Sequence, residues 1–349
     1  MQLINEKQIK AGKIFDQLNE SYEPFYQNEF GAAYLGDSLE LMKKLPDNSI
    51  NLIVTSPPFA LTSKKEYGNK ASEDYVEWFM DFGKEFKRIL TLDGSFVLDL
   101  GGAYLPGHPV RSLYQYELLI RLCKEMNFFL AQEFFHYNPA RLPAPAEWVN
   151  VRRIRVKDSV NVVWWLSKTE YPKANNSNVL RPYTDAMKNL LKKGYKAKLR
   201  PSGHNITGKF SKENAGAIPP NVLDFQDDKE IATNLMTLGN NDSNSGYMKG
   251  CLEAGIKPHP AKFPRRFAEF FIKFLTNEND LVFDPFAGSN TTGWVAEDLK
   301  RHWLAFELVE SYLEGSKHRF QKNTISEISE DELPLFTTNS NGKSDAKSI

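Results

Sequence analysis

Five consecutive residues, Thr55-Ser56-Pro57-Pro58-Phe59, carry the most specific chemistry in this 349-residue sequence. Each proline fixes its own φ and has no amide N–H to donate. The Ser56 hydroxyl and the Pro57 carbonyl are therefore left to face a ligand as oxygen acceptors. Two acceptors suit a group with two N–H donors, and the exocyclic amine of a nucleobase is such a group. Its lone pair is delocalised into the ring, which makes it a poor nucleophile. Accepting both N–H bonds draws the nitrogen towards tetrahedral geometry and frees that lone pair. In this role Ser56 orients the amine and forms no covalent bond to it. Phe59 supplies a stacking face for a base taken out of a double helix. The competing reading is a strand stopped by two prolines, with no ligand.

A second constellation weighs against that reading. Asp284-Pro285-Phe286-Ala287-Gly288-Ser289-Asn290-Thr291-Thr292-Gly293 follows the apolar run Leu281-Val282-Phe283 and opens a helix-like segment. Small residues at such a turn let backbone amides approach a ligand, and a helix N-terminus favours a carboxylate or phosphate. Glu307, at the end of the next strand-like run, stands where an acid accepts hydrogen bonds from ribose hydroxyls. The spacing is not G-x-G-x-x-G and no G-x-x-x-x-G-K-[ST] occurs, so NAD and ATP are poor fits. A tight turn without a ligand is again the structural alternative.

Alternating strands and helices must position these residues. Residues 1–31 are weakly patterned and read as an N-terminal extension. Residues 32–37 form a short strand ending in Asp37, and Ser38 is a good N-cap for the helix after it. The run 50–59 is apolar, β-branched and stopped by prolines, the mark of a buried strand. A helix is expected over 73–91, a strand over 95–102 after Gly94, a helix over 112–126 and strands over 128–137 and 161–168. Beyond these, lysine, asparagine, serine and glycine dominate to about residue 257, a composition boundary. Order returns with a helix over 264–276 that Pro264 can start, a strand over 281–286, a helix over 291–300, a strand over 302–308 and a helix over 309–321. The final residues, from 323, read as a partly disordered tail. This alternation on both sides of an insert predicts a doubly wound, mainly parallel α/β sheet, in which ligands bind beyond the carboxyl ends of the strands. Both motifs fall at strand ends.

Composition fits an ordinary soluble globular protein, with 41% hydrophobic and 25% charged residues. No apolar run approaches the roughly 20 residues needed to span a bilayer, and the start is too polar for a signal peptide. No membrane association and a cytoplasmic location are therefore expected. Cys123 and Cys251 have no metal-ligand spacing, so neither a zinc site nor a disulfide framework is expected. Net charge is zero, yet Lys173–Glu213 holds ten Lys/Arg against two acids. Such a basic stretch is what phosphate binding requires; a solvated lysine-rich helix face is the alternative. Ahead of it, Arg141, Arg152, Arg153 and Arg155 cluster among prolines, where they can reach phosphates or guanines. Trp148 in the same segment belongs equally well to the cleft or to the core.

The two motifs resemble those of the amino-methyltransferases. Ser56–Phe59 is similar to (D/N/S)PP(Y/F), and Asp284–Thr292 to DPFxGxGTT, which in that family binds the methionine end of S-adenosyl-L-methionine. Asn290 replaces the second glycine of that pattern; asparagine is the next-best residue at positive φ. His259-Pro260-Ala261-Lys262-Phe263-Pro264 resembles the segment that packs on the same moiety, and Asp37 the acid that contacts the adenosine part. The catalytic motif precedes the cofactor motif, with the basic region between them. That order resembles the circularly permuted β class of DNA amino-methyltransferases over residues 30–320.

The resemblance implies a Rossmann-like S-adenosylmethionine-dependent methyltransferase fold. Residues 32–170 and 257–322 would form the catalytic and cofactor-binding domain, and 171–256 an inserted target-recognition region. Ser56, Pro57, Pro58 and Phe59 would be catalytic. The cofactor would be held by Asp37, Thr55, His259, Lys262, Pro264, Asp284, Phe286, Gly288, Ser289, Asn290, Thr291, Thr292 and Glu307. Double-stranded DNA would meet the four arginines together with Lys192, Lys193, Lys196 and Arg200. Serine in first place is characteristic of enzymes acting on N4 of cytosine, while adenine N6 stays open. Segments such as 56–69 and 138–176 are similar to those of an N4 enzyme acting on palindromes of the type CAGCTG. A restriction–modification role, with a cognate restriction endonuclease, follows from the same resemblance. Carbon-5 methylation would need a cysteine after proline, and neither cysteine has that context. A non-catalytic nucleic-acid-binding protein with a degenerate version of this fold is the remaining alternative.

Overall fold

The apolar runs of the sequence become adjacent strands in a computed structural model that describes residues 12–60, 72–138, 141–193, 213–223, 246–261 and 264–321. The strands are β1 (Tyr26–Gln27), β2 (Gly31–Leu35), β3 (Ile50–Thr55), β4 (Leu90–Leu100), β5 (Phe129–Tyr137), β6 (Val160–Ser167), β7 (Val222–Leu223), β8 (Leu281–Asp284) and β9 (His302–Glu307). Among the described residues they pair in the order β1-β2-β9-β8-β3-β4-β6-β5-β7. The block from β2 to β4 is parallel, while β6 runs antiparallel to both β4 and β5. Every residue of β8 and β9 is buried, as expected for strands covered on both faces.

Helices cover both faces. They are α1 (12–19), α2 (Ser38–Met42), α3 (Ser72–Ile89), α4 (Tyr114–Lys124), α5 (Asp185–Lys193), α6 (Gly246–Glu253), α7 (Arg265–Leu275), α8 (Thr291–Asp298) and α9 (Glu310–Ser316). One core lies beneath α1 to α4 and includes Leu18, Leu41, Phe79, Phe86 and Leu118. The other lies beneath α7 to α9 and includes Phe267, Phe271, Val295 and Leu313. Helix α7 shows why this works: Phe267, Ala268, Phe271, Ile272 and Leu275 fall on one face at a 3.6-residue period and are all buried.

Several boundaries differ from the sequence reading. Residues 12–31 are part of the fold: Ile14 and Leu18 are buried, and β1 pairs with β2. A two-turn helix and a two-residue strand are too short to create a visible period. Asp37, not Ser38, caps α2, because its extended backbone lets Oδ1 accept from the amides of Leu39 (2.8 Å) and Glu40 (3.3 Å). Strand β4 starts at Leu90, and the residues between Leu90 and Ser95 bulge out of register with β3. Pro264 is the cap of α7 and lies outside the helix proper. A single π-helical turn, Glu147–Val151, occupies the segment that had no readable pattern.

Parts of 171–256 join this fold. Strand β7 extends it beside β5, and Asn178 Nδ2 donates to the Lys273 carbonyl on α7 (3.1 Å). The tail from residue 322 lies outside the described residues.

Candidate active site

Strands β8 and β3 are neighbours, with Leu52 opposite Val282 and Ile53 opposite Phe283. From β8 the chain continues to β9 on one side; from β3 it continues to β4 on the other. The order of the sheet therefore reverses between them, and such a switch point leaves a crevice at the carboxyl ends of the strands. A cavity of about 390 Å³ lies there. Ser56, Pro57, Pro58 and Phe59 border it from the tip of β3, Phe286, Gly288 and Ser289 from the tip of β8, and Glu307 from β9. Two motifs more than 220 residues apart in the chain face one cavity.

The turn after β8 is shaped by its own polar groups. Asp284 is buried; Thr55 Oγ1 (2.7 Å) and the Phe286 amide (3.0 Å) donate to its Oδ1, and Thr292 Oγ1 (2.8 Å) donates to its Oδ2. Burial pushes this carboxyl up to about 6, opposed by those three hydrogen bonds. Gly288 has φ +52°, and a side chain there would meet the His259 ring at 3.1 Å. Asn290 adopts φ +50° and caps α8, its Oδ1 accepting from the Gly293 amide (3.0 Å) and its Nδ2 donating to the Tyr26 hydroxyl (2.9 Å). The left-handed geometry expected of a glycine survives in asparagine because the side chain can bond locally. Glu307 is oriented by two amides, Gly288 on Oε2 (2.8 Å) and Val309 on Oε1 (2.9 Å), and burial raises its pKa.

Not every residue expected at the cofactor reaches the cavity. Asp37, His259, Phe286, Gly288, Ser289, Thr291 and Glu307 border it. Thr55, Asp284, Asn290 and Thr292 do not border it; their side chains are buried and engaged in the hydrogen bonds above. Pro264 caps α7 and does not border the cavity, and Lys262 lies outside the described residues. The acceptor side of the cavity is closed by Phe59, whose ring packs on Gly101 so tightly that a Cβ at 101 would lie 2.4 Å from Phe59 Cε2.

Comparison with known proteins decides what this cavity belongs to. A family model described as DNA methylase matches residues 50–318. The type II methyltransferase M.PvuII of Proteus hauseri is 51% identical over 315 residues, covering 89% of this chain and 90% of its own. The chain belongs to the DNA methylase family. M.BglII of Bacillus subtilis is 24% identical over 322 residues, covering 88% of this chain and 75% of its own. The solved structure of the PvuII DNA methyltransferase (cytosine-N4-specific) superposes with a TM-score of 0.69 at 44% sequence identity, over 88% of this chain and 92% of that one.

The residues of this methylase fit S-adenosyl-L-methionine, the methyl donor of the family. Glu307 keeps lone pairs beyond those used by the two amides, as a ribose needs. The cradle at Gly288 would be filled by any Cβ, so the backbone itself is the contact surface. Trp78 and Phe82 border the cavity and pack on Phe286 at 5.8 and 4.8 Å between ring centroids, an apolar wall suited to a planar base. Both aromatic residues project from α3, a segment expected from the sequence only as a helix. Their spacing of four residues gave no sign of a ligand.

The residues expected on DNA are spread along the methylase's surface. Arg152, Arg153 and Arg155 are exposed and Arg141 is half-buried. Arg141 Nη1 donates to Asn161 Oδ1 (2.8 Å) at the cavity rim, and Arg155 Nη2 donates to the Pro109 carbonyl (2.8 Å). Arg152 pairs with Glu147 (2.7 Å) and lies over Trp148, which is buried and belongs to the packing. Lys192 and Lys193 are exposed at the end of α5; Lys196 and Arg200 lie outside the described residues. Lys173 is engaged elsewhere, donating to the buried Asp280 (3.0 Å). Asp99 and Asn161, which also border the cavity, were missed. The only trace of the first is the pair of glycines after it in Asp99-Leu100-Gly101-Gly102. Arg319 was missed too; its Nε donates to the Ser289 carbonyl (2.6 Å) and one Nη to Ser289 Oγ (2.9 Å), tying that turn to the chain just after α9.

Proposed function

We propose that this methylase transfers a methyl group from S-adenosyl-L-methionine to N4 of cytosine in a short palindrome of double-stranded DNA. One observation carries the reading: the Ser56–Phe59 tip and the Gly288–Ser289 turn border a single cavity at the switch point. The bound donor supplies an electrophilic methyl group on a sulfonium. The protein's part is to hold the acceptor nitrogen beside it. Ser56 Oγ and the Pro57 carbonyl accept the two N–H bonds of the amine, and Phe59, fixed by its packing on Gly101, stacks on the base. A cytosine reaches this depth only when rotated out of the duplex.

Likeness to M.PvuII, whose solved structure is described as cytosine-N4-specific, supports cytosine over adenine. Among the described residues no cysteine borders the cavity, which supports amine chemistry over carbon-5 chemistry. The exposed arginines of 152–155 and the lysines at the end of α5 suit phosphate contacts, and the region 171–256 is proposed to read the target. A role as the modification enzyme of a restriction–modification system, with a cognate endonuclease, goes with this reading. Among the described residues no helix is long and apolar enough to cross a membrane, which suits a cytoplasmic enzyme acting on DNA.

The test is methylation of a CAGCTG duplex and of total genomic DNA with labelled donor, followed by digestion to nucleosides and separation. N4-methylcytosine is expected. N6-methyladenine as the sole product would overturn the base assignment, and an unmodified CAGCTG duplex beside labelled genomic DNA would overturn the site.

A further inference from the structure

The loop between β5 and β6 closes at its base, where the Asn138 amide donates to the Ser159 carbonyl (2.7 Å). Strand β6 runs antiparallel to β4, so it begins where β4 ends, and the loop lies at the carboxyl end of the sheet beside the cavity. Arg141 turns inwards: its Nη1 donates to Oδ1 of Asn161 (2.8 Å), which borders the cavity with Ser56 and Phe59. Leu142, the next residue, turns out to solvent and is 79% exposed. A lone exposed leucine is ordinary; this one is held stiffly at the rim of a ligand cavity. Pro143 and Pro145 fix their own φ and confine Leu142 and Ala144 to extended backbone. The Pro145 carbonyl accepts from the amides of Trp148 (3.2 Å) and Val149 (3.1 Å), and Trp148 is buried. The same loop carries the exposed Arg152, Arg153 and Arg155, so its apolar tip is accompanied by cations that suit a polyphosphate partner.

A cytosine that leaves its duplex leaves a gap in the stack, and the cost of that gap opposes extrusion. An apolar side chain inserted between base steps restores contact there, as wedges of leucine or phenylalanine do in proteins that kink DNA. Side chains turned into the cavity meet the extruded base. A side chain turned outwards at the rim meets the place the base has left. We propose that Leu142 enters the stack at the position vacated by the target base and keeps that base out, while the arginines of its loop hold the neighbouring phosphates. The proposal rests on the base-methylation reading above and adds the group that opposes return of the base.

The experiment uses the full chain, the duplex that the wild type methylates, and single-turnover rates with saturating enzyme and donor. Leu142→Ala is expected to slow transfer about 10-fold or more. Leu142→Met keeps the apolar reach and should stay within threefold of wild type. Donor affinity by calorimetry and the thermal midpoint should be unchanged in both. The deciding substrate carries a pyrene nucleotide opposite the target base, a flat apolar group that fills the stack from the other strand. On it Leu142→Ala is expected to match wild type within threefold. A Leu142→Ala rate within threefold of wild type on the ordinary duplex overturns the proposal. So does a slow Leu142→Ala that stays equally slow relative to wild type on the pyrene duplex, because a loop-shaping role would behave that way. Should the wild type not turn over the pyrene duplex, Leu142→Met decides: a rate as low as that of Leu142→Ala overturns the proposal, and one within threefold of wild type supports it. A wild type that methylates no DNA removes the base-methylation reading and Leu142 together. A wild type that forms N6-methyladenine removes only the base assignment, since an extruded adenine leaves the same gap.

Discussion

At the tips of β8 and β9 every carboxylate oxygen is occupied: Asp284 accepts from Thr55, Phe286 and Thr292, and Glu307 from Gly288 and Val309. Across the cavity, at the tip of β4, Asp99 keeps an oxygen without a partner among the described residues. The first region spends its polar groups on its own shape. The second holds acceptor capacity in reserve. A turn that must present its backbone to one fixed ligand gains from having a single conformation. A wall that receives a base only after it leaves the duplex needs acceptors that are still open when the base arrives. The difference separates residues that build a site from residues that act in it.

Substitutions can break or sharpen this contrast. Ser56→Ala is expected to produce the largest effect, a loss of roughly 10²–10³ in methyl-transfer rate by analogy with the removal of one preorganised hydrogen-bonding group. Donor affinity by calorimetry should hardly move, and equal losses in both would place Ser56 on the building side. Asp284→Asn tests the opposite kind of residue. Burial lifts the Asp284 carboxyl from 3.8 to about 6, so the folded protein binds that proton more tightly than the unfolded chain. Its stabilising contribution is complete below pH 3.8 and is lost as pH rises through about 6. The Asn variant keeps the shape without the charge: its Oδ1 still accepts from Thr55 and Phe286, and its amide nitrogen faces the Thr292 hydroxyl, which must turn to accept. Its stability relative to wild type should therefore rise between pH 4 and 7, by on the order of 3 kcal/mol at most. Urea unfolding at several pH values reads this, and a pH-independent difference would refute it.

Asn290 offers a finer test. Asn290→Ala loses the cap of α8 and leaves at φ +50° a side chain that cannot bond locally, at a combined cost of about 2–3 kcal/mol. Asn290→Gly keeps the conformation and should lose about 1 kcal/mol or less. Equal destabilisation by both would mean that the left-handed backbone is not what this position requires. The smallest effect is expected at Lys192 and Lys193. Replacing both by alanine should flatten the dependence of log K on log salt by about 1 for each phosphate no longer neutralised. An unchanged slope would remove the end of α5 from the DNA surface.

Much of the fold was legible because its signals are local. Apolar β-branched runs mark β3, β8 and β9, and the 3.6-residue period marks α3 and α7. Residues 12–31 were not legible, since elements of two turns or two residues carry no period and are held by the sheet they join. Among the site residues, Ser56, Phe59, Gly288 and Glu307 were readable from proline, glycine and acid placed at strand ends. Trp78 and Phe82 were not, because an aromatic residue on the buried face of a helix looks the same whether it lines a core or a cavity.

Sequence alone determined which chemical groups this protein owns and that they stand at strand tips, because turn residues and hydrophobic periods act over a few residues. It also determined that Asn290 could replace glycine, a matter of one residue's own backbone. Tertiary structure decided which groups remain open to a ligand. Thr55, Asp284 and Thr292 bond to one another and do not border the cavity because β3 and β8 are neighbours, a pairing across more than 220 residues. Asp99 borders the cavity with an open oxygen because β4, β6 and β5 bring it beside His136 and Asn161 without giving that oxygen a donor. Whether a polar atom is satisfied depends on its neighbours in space, and neighbours in space come from strand order.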